Sequence, residues 1–167
     1  MSTTVDPHAY REAIAHFATG VAVVTVAGPD GERHGMTANA VSSVSLSPVL
    51  LLVCIRHDLP THTAIREVGA FNVNLLRADQ QHLAHQFAHP AADKFAGVDL
   101  QPGTLAPVLP GALAHFECRL YDEVSAGDHS IFIGEVEHCS IRQGERTEPL
   151  LYFRSRFHGL ARDEVHA

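Results

Sequence analysis

The run Gly35-Met36-Thr37-Ala38-Asn39-Ala40-Val41-Ser42-Ser43-Val44-Ser45 has small or hydroxylated side chains at almost every position, yet it sits between apolar segments. Two readings fit. It is a polar-faced strand whose hydroxyls meet water, or it is a wall that a flat ligand approaches closely. In the second reading the small side chains leave room, while backbone amides, Asn39 and the serines offer donors and acceptors at fixed places. Three groups at turns or segment ends carry charge or a titratable ring: Arg56, Lys94 in Asp93-Lys94-Phe95, and His129 in Gly127-Asp128-His129. By residue type alone each is either a ligand contact or an ordinary surface or turn group. Tyr152, Phe153 and Arg154 suit a core strand and a ligand-facing edge equally well. Cys54, inside an apolar run, reads as packing rather than as a reactive thiol.

Other chemistries lack their usual residues. There is no Gly-x-Gly-x-x-Gly turn, no Walker A loop, no Gly-x-Ser-x-Gly elbow and no His-Glu-x-x-His. Thirteen histidines raise the question of metal, and His82, His85 and His89 recur at helical spacing. No cysteine or carboxylate cluster joins them, so a solvated helix face is expected and no metal ligand is assigned.

The elements that must position these residues can be read from spacing. Asp6 and Pro7 open a helix that Gly20 closes, with Tyr10, Ala13, Ile14 and Phe17 as an apolar face expected to pack on a sheet. Val21 to Ala27 is continuously apolar, so both its faces are expected to be covered. Pro29-Asp30-Gly31 signals a turn. His34 to Leu46, the break at Ser47-Pro48 and Val49 to Ile55 then suggest a meander. Thr61 to Val68 reads as a short helix ended by Gly69, Phe71 to Leu76 as a half-buried strand, and Asp79 to His89 as a second short helix. Ala91 to Gly111, with three prolines and three glycines, is expected to be a loop over a site. Strands follow at Ala114 to Val124 and Ser130 to Ile141, a turn at Gln143-Gly144-Glu145, and a last strand at Leu150 to Arg154.

Strands outnumber helices and mostly follow one another directly. This predicts a mainly β chain, an antiparallel barrel with peripheral helices. One domain is expected over residues 1–167, with its core at about 10–160. The 167 residues are 46% hydrophobic and 19% charged, enough for a buried core. A formal net charge of −7 argues against nucleic acid and against anionic membranes as partners. Cys54, Cys118 and Cys139 lie in strand-like runs without zinc spacing, and read as reduced, buried thiols. No leader pattern is seen in Met1 to His8, and Val49 to Ile55 is too short to span a bilayer, so a soluble, cytoplasmic protein is expected.

In order, Phe17-Ala18-Thr19-Gly20-Val21-Ala22-Val23-Val24-Thr25, the Gly35–Ser45 run, Ser47-Pro48 and Leu52-Val53-Cys54-Ile55 resemble the flavin reductase-like family, whose members are FMN-binding split barrels of antiparallel Greek-key type. Gly69-Ala70-Phe71-Asn72-Val73-Asn74-Leu75-Leu76, Phe87-Ala88 and Asp93-Lys94-Phe95-Ala96-Gly97-Val98 continue the resemblance. So do Pro107-Val108-Leu109-Pro110-Gly111-Ala112, Glu117-Cys118, Ala126-Gly127-Asp128-His129, Ile133-Gly134-Glu135-Val136 and Pro149-Leu150-Leu151-Tyr152-Phe153. It spans roughly Phe17 to Leu160.

The resemblance implies a homodimeric NAD(P)H:flavin oxidoreductase. Such an enzyme passes hydride from C4 of NADH or NADPH to N5 of FMN or FAD, and supplies free reduced flavin to a partner monooxygenase. It places Thr37, Ala38 and Asn39 along the isoalloxazine, with Ser42 and Ser43 near the ribityl chain or phosphate. Cys54, Ile55 and Arg56 are to border the flavin, and Thr61, His62 and Thr63 to stand at a phosphate-binding helix start. Lys94 is to hold phosphate or order the loop above, and His129, with Tyr152 and Arg154, to meet the nicotinamide. No acid–base residue is required; the protein stacks two rings and stabilises charge. Two departures stand out. Arg154-Ser155-Arg156-Phe157 replaces the family's Arg-Gly-Arg-Tyr, and Thr61-His62-Thr63 replaces a more serine-rich run. The alternatives are a non-catalytic flavin-binding module on the same barrel, and an oxidase of small molecules with a retained flavin.

Overall fold

The computed structural model describes residues 5–28, 31–91, 93–144 and 148–160. Pro29 and Asp30 of the first expected turn, Glu145 of the second and Met1 to Thr4 lie outside them. Asp6 caps α1 (Pro7–Ile14) as expected, its carboxylate accepting from the His8 and Ala9 amides at 3.3 Å each. The helix does not pack as its pattern predicts. None of its residues is buried, and Tyr10, Ile14 and the following Phe17 are exposed. The apolar stripe is real, but no described part of the same chain covers it.

Short β1 (Thr19–Gly20) leads to β2 (Ala22–Ala27), β3 (Arg33–Ala38), β4 (Val41–Leu46) and β5 (Val49–Arg56). Then come α2 (Pro60–Val68), β6 (Ala70–Leu75), a single 3-10 turn, α3 (Gln81–Ala88), and the long strands β7 (Ala114–Ala126) and β8 (His129–Ile141). A hairpin of β9 (Leu151–Phe153) and β10 (Arg156–His158) is the last described element; the second of these strands was not expected.

Seven strands pair antiparallel in the order β3-β2-β6-β7-β8-β5-β4, and β1-β9-β10 form a separate small sheet. β3 and β4 stand at opposite edges of the large sheet, yet only Asn39 and Ala40 join them. Such a link reaches about 10 Å, so the edges must meet and the sheet rolls into a barrel. The Cys54 amide donates to the Ala40 carbonyl at 3.1 Å, carrying the β4–β5 ladder on into the link. This corrects the expected meander. A two-residue hairpin between β3 and β4 needs positive φ, and neither Asn39 nor Ala40 has it. The chain therefore crosses the seam extended. Ser47-Pro48, between β4 and β5, is a cis peptide.

β-branched and aromatic side chains fill the barrel: Val24, Val26, Val53, Ile55, Phe71, Val73 and Phe132, with Ala64 and Ile65 of α2 closing one side. Gly69 ends α2 at φ +70°, the left-handed conformation that glycine adopts without strain. Val23 of β2 and Val21 just before it meet a second cluster of Leu83, Phe87, Phe95, Leu109 and Leu150. β2 is thus covered on both faces, as its unbroken apolar run required.

β6 was expected to be half-buried and is instead enclosed on both faces. Its outward residues Asn72 and Asn74 lie beneath the loop that precedes β7. The Asn74 amide donates to the Val23 carbonyl at 3.0 Å, and its oxygen accepts from the Leu109 amide at 2.9 Å. Asn72 donates to the Pro107 carbonyl at 3.2 Å, and its cross-strand partner Glu117 accepts from the Leu105 amide at 2.7 Å. An Asn74→Ala chain strands the buried Leu109 amide. It is expected to lose about 1–3 kcal/mol, read as a lower urea midpoint with unchanged slope.

Two of the three expected buried thiols differ. Cys118 is buried, and the loss of water pushes it up to about 12. Cys54 is half-buried and Cys139 exposed, the latter in the 137–141 end of β8, where no residue is buried.

Candidate functional site

Strand alternation divides the expected site residues into two sets. On β3 and β5, Ala38 and Ile55 point into the barrel core, so only their backbone borders the seam. Asn39, Ser42, Ser43 and Arg56 are exposed, and Cys54 is half-exposed on the outer face. The Thr37 hydroxyl is committed elsewhere, donating to the Ala84 carbonyl of α3 at 2.7 Å. The Asn39 amide donates to Thr19 Oγ1 at 3.3 Å, and Thr19 is the register partner of Tyr152. The seam and the β9–β10 hairpin are therefore joined through Thr19, a residue not singled out in the sequence beyond its motif.

At the other end of the seam, Arg56 and His129 are register partners on β5 and β8. Each holds an acid next to it. Arg56 Nε donates to Asp58 at 2.8 Å, and His129 Nδ1 lies 2.7 Å from Asp128. These bonds pull both carboxyls below the usual range, Asp58 through the Arg56 hydrogen bond and Asp128 through that of His129. The His57 amide donates to the Asp128 carbonyl at 3.1 Å, binding the β5–α2 link to the β7–β8 turn. Arg56 and His129 thus form one wall of opposed cationic and titratable groups at the end of a strip of small side chains.

The helix start is different from expectation. Thr61 and His62 are buried and only Thr63 is exposed. The apolar face of α2 must point into the barrel, and helical spacing carries Thr61 and His62 inward with Ala64 and Ile65. Burial holds the His62 imidazole below its ordinary range. The α2 N-cap is Leu59, which offers no side-chain acceptor to the first-turn amides. Lys94 also turns inward: its ammonium donates to the Gly35 and Phe87 carbonyls at 3.3 and 3.0 Å, and burial lowers it. Those bonds order the loop after α3 and leave one of its three donors over.

On the small sheet, Arg154 and Ser155 turn the hairpin at φ +48° and +59°. The family glycine that would take such a conformation without strain is absent here. Phe153, Arg154, Arg156 and His158 line an open cleft of ≈ 440 Å³. Of these Phe153 and Arg154 were candidates from the sequence, and Arg156 appeared only in the departing motif. Tyr152 instead packs on Phe157, ring centroids 5.4 Å apart. His85 and His89 stack with centroids 6.4 Å apart on the exposed side of α3. Among the described residues no group of three or more His, Cys, Asp or Glu is arranged to hold a metal ion.

The seam fits a flavin by the chemistry of its donors. A flat ring with carbonyl and imide edges needs close backbone approach, which Ala38, Asn39 and Ala40 permit. It also needs hydroxyl, amide and cationic donors around its rim, which Ser42, Ser43, Asn39 and Arg56 supply.

Comparison with known proteins agrees with this geometry. The family model for the flavin reductase like domain matches residues 14–161. The reductase component of a 4-nitrophenol 4-monooxygenase/4-nitrocatechol 2-monooxygenase from Rhodococcus opacus is 42% identical over 153 residues, covering 92% of this chain and 80% of that protein. An NADH-dependent FAD reductase from Streptomyces globisporus is 40% identical over 159 residues, covering 92% and 85%. BorF, the flavin reductase component of a bacterial two-component tryptophan halogenase, is 42% identical and superposes with a TM-score of 0.84, covering 93% of this chain and 98% of that one. SgcE6 of Streptomyces globisporus C-1027, an NADH:FAD oxidoreductase crystallised with NAD and FAD fragments, is 39% identical with a TM-score of 0.88, covering 98% and 99%. With a match over nearly its whole length and a barrel that superposes on these enzymes, the chain belongs to the flavin reductase-like family.

Proposed function

We propose that this chain is the reductase half of a two-component oxygenase system, an NADH-dependent flavin reductase that releases its product to a separate monooxygenase. The observation that carries the reading is the seam itself: small side chains from Ala38 to Ser43, ending on the register pair Arg56 and His129. When bound there, a flavin supplies the ring that accepts hydride from the dihydronicotinamide. Asn39, Ser42 and Ser43 hold its rim, and Arg56 and the exposed Thr63 face its phosphate side. His129 orients the carboxamide of the nicotinamide, and Tyr152 and Arg154 approach from the small sheet. None of these residues needs to move a proton. The seam is a surface strip rather than a closed chamber, which suits a flavin that arrives and leaves.

A second copy of the chain completes the strip. Val44 and Leu46 on β4, the strand at the seam, and Val49, Tyr121 and Val124 on β5 and β7 are exposed, with Leu46 86% accessible. Apolar surface of this kind is normally covered, and light scattering is expected to give twice the chain mass. No helix among the described residues is long and apolar enough to cross a membrane, and we place the enzyme in the cytoplasm, where NADH and flavin are available.

The deciding experiment is steady-state NADH oxidation by purified protein with FMN, FAD or no flavin, repeated with NADPH. Turnover that depends on added flavin supports the reductase and names its preferred pair. Flavin binding without turnover for any pair supports the non-catalytic module instead.

A further inference from the structure

Behind the Arg56–His129 wall lies a buried polar cluster that neither ring-binding role uses. His62 and Ser130 are 6% and 1% exposed. The Ser130 hydroxyl donates to Glu123 Oε1 at 2.7 Å, and His62 Nε2 stands 2.9 Å from the same Ser130 oxygen. The single hydroxyl proton goes to Glu123, so His62 Nε2 must be the donor, which fixes the imidazole in its Nε2–H form. Arg66 Nε lies 3.1 Å from the other oxygen of Glu123. The His62 ring is held edge-on between His57 and Phe132, with centroids 5.1 Å away on both sides.

The cluster binds three elements at one point: α2 through His62 and Arg66, β7 through Glu123, and β8 through Ser130. Its place in the chain matters. Ser130 directly follows His129, and pairs in register with Ile55, the residue before Arg56. Beyond this point the β7–β8 hairpin projects from the barrel, with Val124, Ser125 and Ala126 exposed. The turn that carries His129 is held on its backbone by the His57 amide on the Asp128 carbonyl at 3.1 Å. On the side-chain level the buried hydrogen bonds of Ser130, one residue on, fix the strand that His129 begins.

We propose that Ser130, His62 and Glu123 are positioning residues for the nicotinamide step, holding the Gly127–His129 turn so that the His129 imidazole meets the nicotinamide at the right height. This rests on the reading of His129 given above. Small displacements of a contact group are costly when two rings must stack in reacting geometry.

The test uses full-length protein and compares Ser130→Ala, Ser130→Thr, Glu123→Ala and His129→Ala, each with NADH varied, flavin varied and thermal midpoint recorded. Ser130→Ala is expected to raise KM for NADH about tenfold, with kcat and KM for flavin within about twofold. Ser130→Thr keeps the hydroxyl and is expected to restore the parent KM. Glu123, at the half-exposed edge of the cluster, gives a variant that folds even where Ser130→Ala does not, and its loss is expected to raise KM for NADH in the same way. A lowered midpoint with KM for NADH unchanged overturns the proposal, as does a joint rise in both KM values that threonine does not correct. If His129→Ala raises KM for NADH and Ser130→Ala and Glu123→Ala do not, this proposal alone falls. If His129→Ala leaves that KM unchanged, the reading of His129 falls and the proposal with it.

Discussion

A Gly134→Val chain is expected to be strongly destabilised, with a denaturation midpoint well below the parent's. Gly134 lies on the inner face of β8, opposite Leu51 and Leu120 in register. A Cβ there would stand 2.6 Å from Phe71 Cζ and 2.7 Å from Cys118 Cβ. Neither neighbour can yield, since Phe71 and Cys118 are both 0% exposed within the close-packed barrel. Overpacking usually costs about 1–3 kcal/mol. Valine adds two carbons beyond the clashing Cβ, so a loss at or above the upper end of that range is expected, against a total stability of about 5–15 kcal/mol. Chemical denaturation of Gly134→Ala, Phe71→Leu and the double variant supplies the check. The pair should be less destabilised than the sum of the singles, because the smaller Phe71 replacement makes the room that the alanine needs. Strict additivity, or a Gly134→Val midpoint equal to the parent's, would show that the barrel does not pack as described.

The second large effect falls on function. His129→Ala is expected to lower kcat/KM for NADH about tenfold to a hundredfold, or about 1.4–2.7 kcal/mol of transition-state stabilisation. The imidazole is partly exposed at the start of β8, in register with Arg56 and 2.7 Å from Asp128. If His129 meets the nicotinamide as proposed, its removal takes away that contact without touching the barrel core, so folding and flavin affinity should change little. Stopped-flow reduction at varied NADH separates the two parts: the concentration for half-maximal rate should rise while the limiting rate changes less. Equal loss of flavin affinity would assign His129 to the flavin rather than to the nicotinamide.

Much of the local structure was legible in the residues. Asp6 and Pro7 announce α1, Gly69 ends α2, and the unbroken apolar run of β2 requires cover on both faces, which Phe87 on one side and Phe71 on the other supply. These signals depend on neighbours a few residues apart, so sequence spacing is enough to read them. The family resemblance likewise spans the chain because its motifs keep their order and spacing.

Where side chains go once strands have paired was decided only in three dimensions. The Gly35–Ser45 run reads as one long polar segment, but its halves stand at opposite sheet edges, because closing the barrel requires the Asn39–Ala40 link to cross the seam. His62 looks like a partner for phosphate at a helix start, yet the inward face of α2 carries it to Ser130 and Glu123, 68 and 61 residues away in the chain (His62 to Ser130, and His62 to Glu123). Lys94 looks like a free cation, yet its loop folds back on carbonyls of β3 and α3. Asn72 and Asn74 alternate as a half-wet strand would, until the 101–110 loop covers them and takes up their amides. In each case the partner is distant in sequence. The residues by themselves determined the elements and the chemistry on offer; the closure of the barrel and the burial it imposes decided which of those groups face the seam.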